Sequence, residues 1–127
     1  MKLRIKGNSL RFRVTRSELA KLIDTGRVEE TIFFSPDGYS SLTYALELQP
    51  SSTSAILRYR SSEIAILLST HEVKIWTESD RVGIYATVDL GTLGTLDLLV
   101  EKDFACLDLS DAENVDTFPN PNAGAAC

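Results

Sequence analysis

The sequence predicts an α+β fold, mainly antiparallel β, in which two ββαββ units supply eight strands and two helices. Three observations carry this. The chain matches itself without a gap at a shift of 54 positions, the interval from Leu3 to Leu57; its strands alternate with period two; and each half holds one helix with a recognisable start. In the self-match Leu10, Phe12 and Val14 fall on Ile64, Ile66 and Leu68, and Leu19 and Leu22 on Val73 and Trp76. Arg27-Val28 falls on Arg81-Val82, and Leu42, Tyr44, Leu46 and Glu47 fall on Leu96, Leu98, Val100 and Glu101.

Each element follows from its own residues. Alternation marks strands over 2–6 and 9–14, with Gly7-Asn8 as a tight turn that accepts positive φ. Thr15 followed by Glu18 is a capping box, Leu19, Leu22 and Ile23 form one helical face, and Gly26 stops the helix. Strands near 27–34 and 41–48 flank a Pro36-Asp37-Gly38 turn. In the second half Ser61-Ser62 replaces the tight turn, and Ser69 or Thr70 caps a helix that buries Val73 and Trp76 and ends near Asp80. Strands near 81–88 and 95–102 are joined through Gly91 to Gly94.

Each four-stranded unit has one apolar face that must be covered, and the other unit is the natural cover. The result is either an eight-stranded barrel or two facing sheets, with the helices at an end or a flank. The expected core is Leu3, Ile5, Leu10, Phe12, Val14, Leu19, Leu22, Val28, Tyr44, Leu46, Leu57, Ile64, Ile66, Leu68, Val73, Trp76, Val82, Leu98 and Val100, with Tyr59 packing where Ile5 does. Residues 1–103 form this single domain of two repeats, about 1–49 and 55–103, and 104–127 are an acidic Pro/Asn-rich tail.

An apolar fraction of 43% is enough for a core and argues against general disorder. A net charge of −5 argues against duplex nucleic acid, whose binding relies on displacing counterions with Lys and Arg. No apolar run approaches the length of a membrane span, and the opening residues lack a signal-peptide core, so a cytoplasmic protein without membrane contact is expected. The cationic residues are nevertheless concentrated. Lys2, Arg4, Lys6, Arg11 and Arg13 share one side of the first two strands, and Arg58 and Arg60 repeat the arrangement. Glu47, Asp97, Glu101 and Asp103 lie on the corresponding side of the fourth strands, so basic strands are expected beside acidic ones. These seven cations are either a solvated face with cross-strand ion pairs or the lining of a cleft or tunnel that binds a small phosphorylated or polycarboxylate ligand.

Two resemblances follow from these residues. The doubled unit resembles in topology the triphosphate tunnel (CYTH-like) superfamily, which implies a closed barrel, a polyanion inside it and a relative of tunnel phosphohydrolases. That family's opening strand carries alternating glutamates, where this chain has Lys2-Leu3-Arg4-Ile5-Lys6. Nearly the whole chain is similar to a small bacterial family without an assigned function. The likeness is carried by the opening MKLRIKGNSLRFRV, SELAKL, GRVEETI, TYALEL, VEKDFACL and DTFPNP.

Catalytic motifs are absent from the sequence. The single histidine, His71, has no nucleophile or orienting acid around it, and Gly91-Thr92-Leu93-Gly94 precedes a strand where a phosphate loop would open a helix. No cofactor is expected; the leading reading is a non-enzymatic binding or accessory domain whose role the residues do not name, and the alternative is a barrel that binds a small phosphorylated or polycarboxylate ligand, with a small anion or a protein as the partner. The tail either wraps the body with Phe104 and Phe118 docked, or binds a metal or partner through its acids and thiols. Cys106 and Cys127 are the metal candidates, short of the four Cys or His ligands that zinc usually takes.

Overall fold

The computed structural model describes residues 1–50, 54–105 and 115–119. The strands are β1 (Lys2–Lys6), β2 (Ser9–Val14), β3 (Arg27–Phe33), β4 (Ser41–Gln49), β5 (Ile56–Arg60), β6 (Glu63–Ser69), β7 (Gly83–Asp89) and β8 (Thr95–Lys102). Helix α1 (Arg16–Thr25) lies between β2 and β3, and α2 (Thr70–Glu78) between β6 and β7. The strands form two four-stranded sheets, sheet A in the order β1-β2-β8-β7 and sheet B in the order β3-β4-β6-β5. They do not close into a barrel. Neither sheet belongs to one half of the chain, contrary to the expected four-stranded units. Each takes a hairpin from either half, and the two hairpins meet through a parallel central pair, β2 with β8 and β4 with β6.

The helix boundaries have local causes. The Thr15 side chain accepts from the Glu18 amide while the Glu18 carboxylate accepts from the Thr15 amide, and Gly26 ends α1 at φ 85°, where its amide donates to Leu22. Glu18 also receives the Met1 ammonium, which reaches Glu30 at 2.8 Å as well. Ser69 caps α2 through the Glu72 amide. Below its end, Lys102 donates to the Ser79 carbonyl at 2.9 Å, a cation at a helix C-terminus.

A single core draws on both sheets and both helices. Phe12, Val14, Leu98, Val100 and Ile84 come from sheet A, Val28, Leu46, Ile66 and Leu68 from sheet B, and Leu19, Leu22, Val73 and Trp76 from the helices. Three expected core members stand outside it. Ile5 and Tyr59 are 62% and 71% exposed because they lie at the open ends of edge strands, beyond the last residues that the opposing sheet covers. Val82 precedes β7: the strand starts at Gly83, two residues later than the shift of 54 places it, and Ile84 takes the inward position opposite Val100. The Val82 carbonyl accepts instead from Trp76 Nε1 at 3.1 Å.

Gly83 is required by a close approach. A Cβ there would meet the Val100 carbonyl at 2.4 Å and the Tyr85 hydroxyl at 3.1 Å, because Tyr85 reaches back over this position towards Glu101. The chain beyond β8 also touches the body. Phe118 donates to the Asp103 carbonyl at 2.8 Å, packs edge-on to Phe104 and lies under the Lys102 ammonium, whose pKa burial lowers. Asp116 accepts from the Ser17 amide in the first turn of α1 at 3.2 Å, a carboxylate favoured by the helix dipole.

Phe12 and Trp76 are fully buried, so truncating either to Ala is expected to cost about 3–5 kcal/mol in chemical denaturation, whereas Ile5→Ala leaves the midpoint nearly unchanged. Equal losses for all three would contradict the core described above. Gly83→Ala should be destabilising despite its small size, since the obstructing atom is a backbone oxygen of the adjacent strand.

Candidate functional site: the cationic face of sheet A

The outer face of sheet A is built in three rows by the strand register. Lys2 lies opposite Arg13, which neighbours Glu101 on β8; Arg4 lies opposite Arg11, which neighbours Leu99; and Lys6 lies opposite Ser9, which neighbours Asp97. The two halves of this face therefore carry opposite charge. Two of the three cross-strand positions between β1 and β2 hold like charges, an arrangement that disfavours pairing unless something neutralises it. Neutralisation is incomplete. Lys2 pairs with Asp103 at 3.0 Å and Arg11 Nε with Glu101 at 3.0 Å. Arg4, Lys6 and Arg13 have no ion-pair partner among the described residues.

Arg11 is the most fixed of these cations. Its partner Glu101 is held in turn by the Tyr85 hydroxyl at 2.8 Å, and Tyr85 itself is pushed up to about 12 by burial and by that carboxylate. Beside Arg11 the surface dips into a depression of about 120 Å³ lined by Arg4, Lys6, Ser9, Arg11 and Leu99. A water occupies roughly 30 Å³ of liquid, and whole-ligand pockets run to about 300 Å³ or more, so the depression suits one phosphate or carboxylate group and not an entire metabolite. Ser9 Oγ donates to the Lys6 carbonyl at 2.6 Å, which ties the turn to this edge. Ser9, Leu99 and Tyr85 were not legible as site members. Leu99 interrupts the Asp97–Glu101 alternation, and that break is the one signal in the sequence.

Arg58 and Arg60 lie elsewhere, on the outer face of sheet B, so the seven candidate cations do not converge. Arg58 belongs to a compact network. It reaches Glu47 at 2.9 Å and Glu63 at 3.0 Å, while Arg27 reaches Glu29, Glu47 and Glu63 at 2.6, 2.9 and 2.8 Å. These side chains span all four strands above Ala45 and Ala65, two outer-face alanines that are fully buried. Arg60 is exposed and has no ion pair among the described residues. His71 is exposed in the first turn of α2. Among the described residues no three His, Cys, Asp or Glu side chains gather as metal ligands, and no helix is long and apolar enough to cross a membrane. Cys106 and Cys127 lie outside the described residues.

The fold and this face define a two-sheet α+β domain with a cationic outer surface and an apolar interior. The interior is where the tunnel resemblance fails, because Phe12, Leu46, Ile66 and Leu98 fill the space in which a triphosphate tunnel would hold its ligand. The chain belongs to a family of unknown function, DUF7009, which it matches over residues 1–122. No curated protein and no solved structure matches it.

The network on sheet B has a pH signature. Hydrogen bonds from Arg58, then Arg27, hold the Glu47 and Glu63 carboxyls below the usual carboxylate range. Their folded-state pKa values lie under the unfolded ones, so the stability they contribute is complete above the ordinary glutamate value of about 4.3 and is lost as pH falls through the folded values. A Glu47→Gln, Glu63→Gln variant should therefore melt below the parent protein at neutral pH, with the gap closing as the solution is acidified. A gap independent of pH would show that the carboxylate charges contribute nothing.

Proposed function

We propose that this domain is a non-enzymatic binding module that takes an anionic group, phosphate or carboxylate, on the outer face of β1 and β2. The observation that carries the reading is the placement of Arg4 directly opposite Arg11 beside a head-group-sized depression, with Arg11 fixed by Glu101 and Arg4 left without a carboxylate. Like charges at facing positions raise the energy of the unliganded face, and an anion between them would relieve it. Two guanidinium groups converging from adjacent strands can each present paired donors to one oxyanion, which favours phosphate or carboxylate over halide. The depression holds the charged head, while the remainder of the ligand lies along the open row of Lys2, Arg4 and Lys6. Binding without chemistry is the simplest role, since the only histidine stands on α2 and the face offers the anion donors but no placed nucleophile.

The same reading includes a structural origin: the two halves are copies of one ββαββ unit, related by a pseudo-twofold axis that exchanges sheet A with sheet B. Support comes from register. Ser9 pairs with Asp97 and Glu63 pairs with Thr43, positions that interchange under the shift of 54, as do Lys2 with Arg13 and Ile56 with Leu67. On this view the binding face of sheet A and the ion-pair network of sheet B occupy equivalent positions that have diverged.

Pyrophosphate or a tricarboxylate should raise the melting midpoint by mass action, equivalent to about 2.7 kcal/mol at a hundredfold excess over Kd. The shift should weaken with salt and vanish in an Arg4→Ala, Arg11→Ala variant, while Arg60→Ala, on the other sheet, retains it. Sulfate at equal ionic strength controls for general salting effects. An unchanged midpoint with every anion beyond that control would return this face to ordinary solvated surface.

A further inference from the structure

The hairpin joining β3 to β4 outruns the sheet that carries it. Pairing of β4 with β6 begins at Thr43, whereas pairing of β3 with β4 continues to Phe33 opposite Ser41. The residues beyond Thr31 thus form a two-stranded ribbon with no third strand, a form that is marginally stable on its own in water. Its composition is wrong for a solvated tip. Ile32, Phe33 and Phe34 follow one another at 48%, 65% and 63% exposure, and Tyr39 at the turn is 91% exposed. β3 is also an edge strand of sheet B. Native proteins usually blunt such edges with charge or proline, because an apolar edge with open main-chain groups invites another strand.

We propose that a second copy of this chain covers the ribbon, through antiparallel pairing of β3 with its counterpart about a twofold axis at Ile32. The backbone fixes which groups are available. Phe34 donates to Ser40 and Leu48 donates to Gly26, so even-numbered residues of β3 turn their main-chain groups towards β4. The odd-numbered residues Glu29, Thr31 and Phe33 present theirs to the open edge. With the axis at Ile32, Thr31 of one copy exchanges hydrogen bonds with Phe33 of the other, and the two Ile32 side chains meet at the closely spaced non-hydrogen-bonded position.

Charge is compatible with this register. Glu30 falls opposite Phe34 and Glu29 opposite Ser35, whereas an axis at Glu30 would set two carboxylates against each other. Size is adequate too. At ~200 Å² per ring, Phe33, Phe34 and Tyr39 expose on the order of 400 Å² in each copy. Two copies together expose about 800 Å² of aromatic surface, before Ile32 and the backbone edges are included, against the roughly 1,000 Å² that a specific interface needs. An isologous strand pair uses the same patch twice and so covers both ribbons at once.

Sedimentation velocity of the full chain through the micromolar range tests association, and an engineered cross-link tests the register. In a Cys106→Ser, Cys127→Ser background, Ile32→Cys should oxidise to a covalent dimer, because a non-hydrogen-bonded antiparallel pair sets its Cα atoms ~4.5 Å apart, within disulfide reach. Ile56→Cys, on the opposite edge of sheet B, should not. Phe33→Ser should weaken association about tenfold or more. Its melting transition and far-ultraviolet spectrum, unchanged, would separate lost association from lost folding. A single-chain mass at every concentration overturns the proposal, as does association that Phe33→Ser leaves intact or a cross-link formed equally well at Ile56. A monomer whose ribbon instead binds phosphatidylcholine vesicles or an unrelated protein overturns the second copy as occupant.

Discussion

The parallel pairing at the centre of each sheet is the constraint on which the rest depends. β2 is completed by β8 and β6 by β4, so neither half of the chain owns a complete sheet. Removing β7 and β8 would reduce sheet A to one hairpin, and a lone hairpin does not hold a buried face. The helices follow from the same constraint. Each connects the central strand of one sheet to an edge strand of the other, which places both at one end of the molecule and all four hairpin turns at the opposite end. Val14, Leu19, Leu22 and Trp76 seal the helix end, whereas the turn end lacks such a seal and leaves Ile5, Tyr59 and Ile32 outside the core.

The two outer faces solve one electrostatic problem in different ways. On sheet B, Arg27 and Arg58 each meet two or three carboxylates, and those side chains lie flat enough to cover two alanines. Such a network is screened at the surface and its worth is modest, but it leaves little charge to offer a ligand. On sheet A, Glu101 meets Arg11 and Asp103 meets Lys2, while Leu99 stands in the row of Arg4 and Arg11 where a carboxylate could have lain. Arg4 and Lys6 have no ion pair among the described residues, and the anion proposed above would sit beside them.

The sequence spoke most clearly where structure is local. Thr15, Glu18, Gly26 and Ser69 mark helix ends through hydrogen bonds made within four residues, and they appear where they were expected. Period-two alternation correctly assigned facing, so Phe12, Leu46, Ile66 and Val100 are in the core and Arg4 and Arg11 are out. Alternation is silent about neighbours, however. It could not show that β2 lies against β8, and hence that Arg11 meets Glu101 while Arg58 meets Glu47. The two-residue slip before β7 was invisible for a related reason. Moving a strand by two keeps its facing, so Val82 and Ile84 fit the pattern equally well, and only the observed pairing of Ile84 with Val100 distinguishes the registers. Partition of the seven cations between two faces depends on sheet order, and no residue among them carries that information.

Two open sheets leave four edges, and each is finished with different chemistry. β1 carries Lys2, Arg4 and Lys6, which repel a stray strand. β5 ends in Arg58 and Arg60, with Arg58 drawn inward over the sheet. β7 turns Tyr85 back across Gly83 to Glu101 and so spends its largest side chain on ordering the cationic face. β3, as long as β7, is the one made apolar towards its tip by Ile32 and Phe33. Since β3 and β1 lie in different sheets, occupation of one edge need not block the other. The anion and the second copy proposed above would occupy different edges of one domain, whose core is packed with side chains from both sheets.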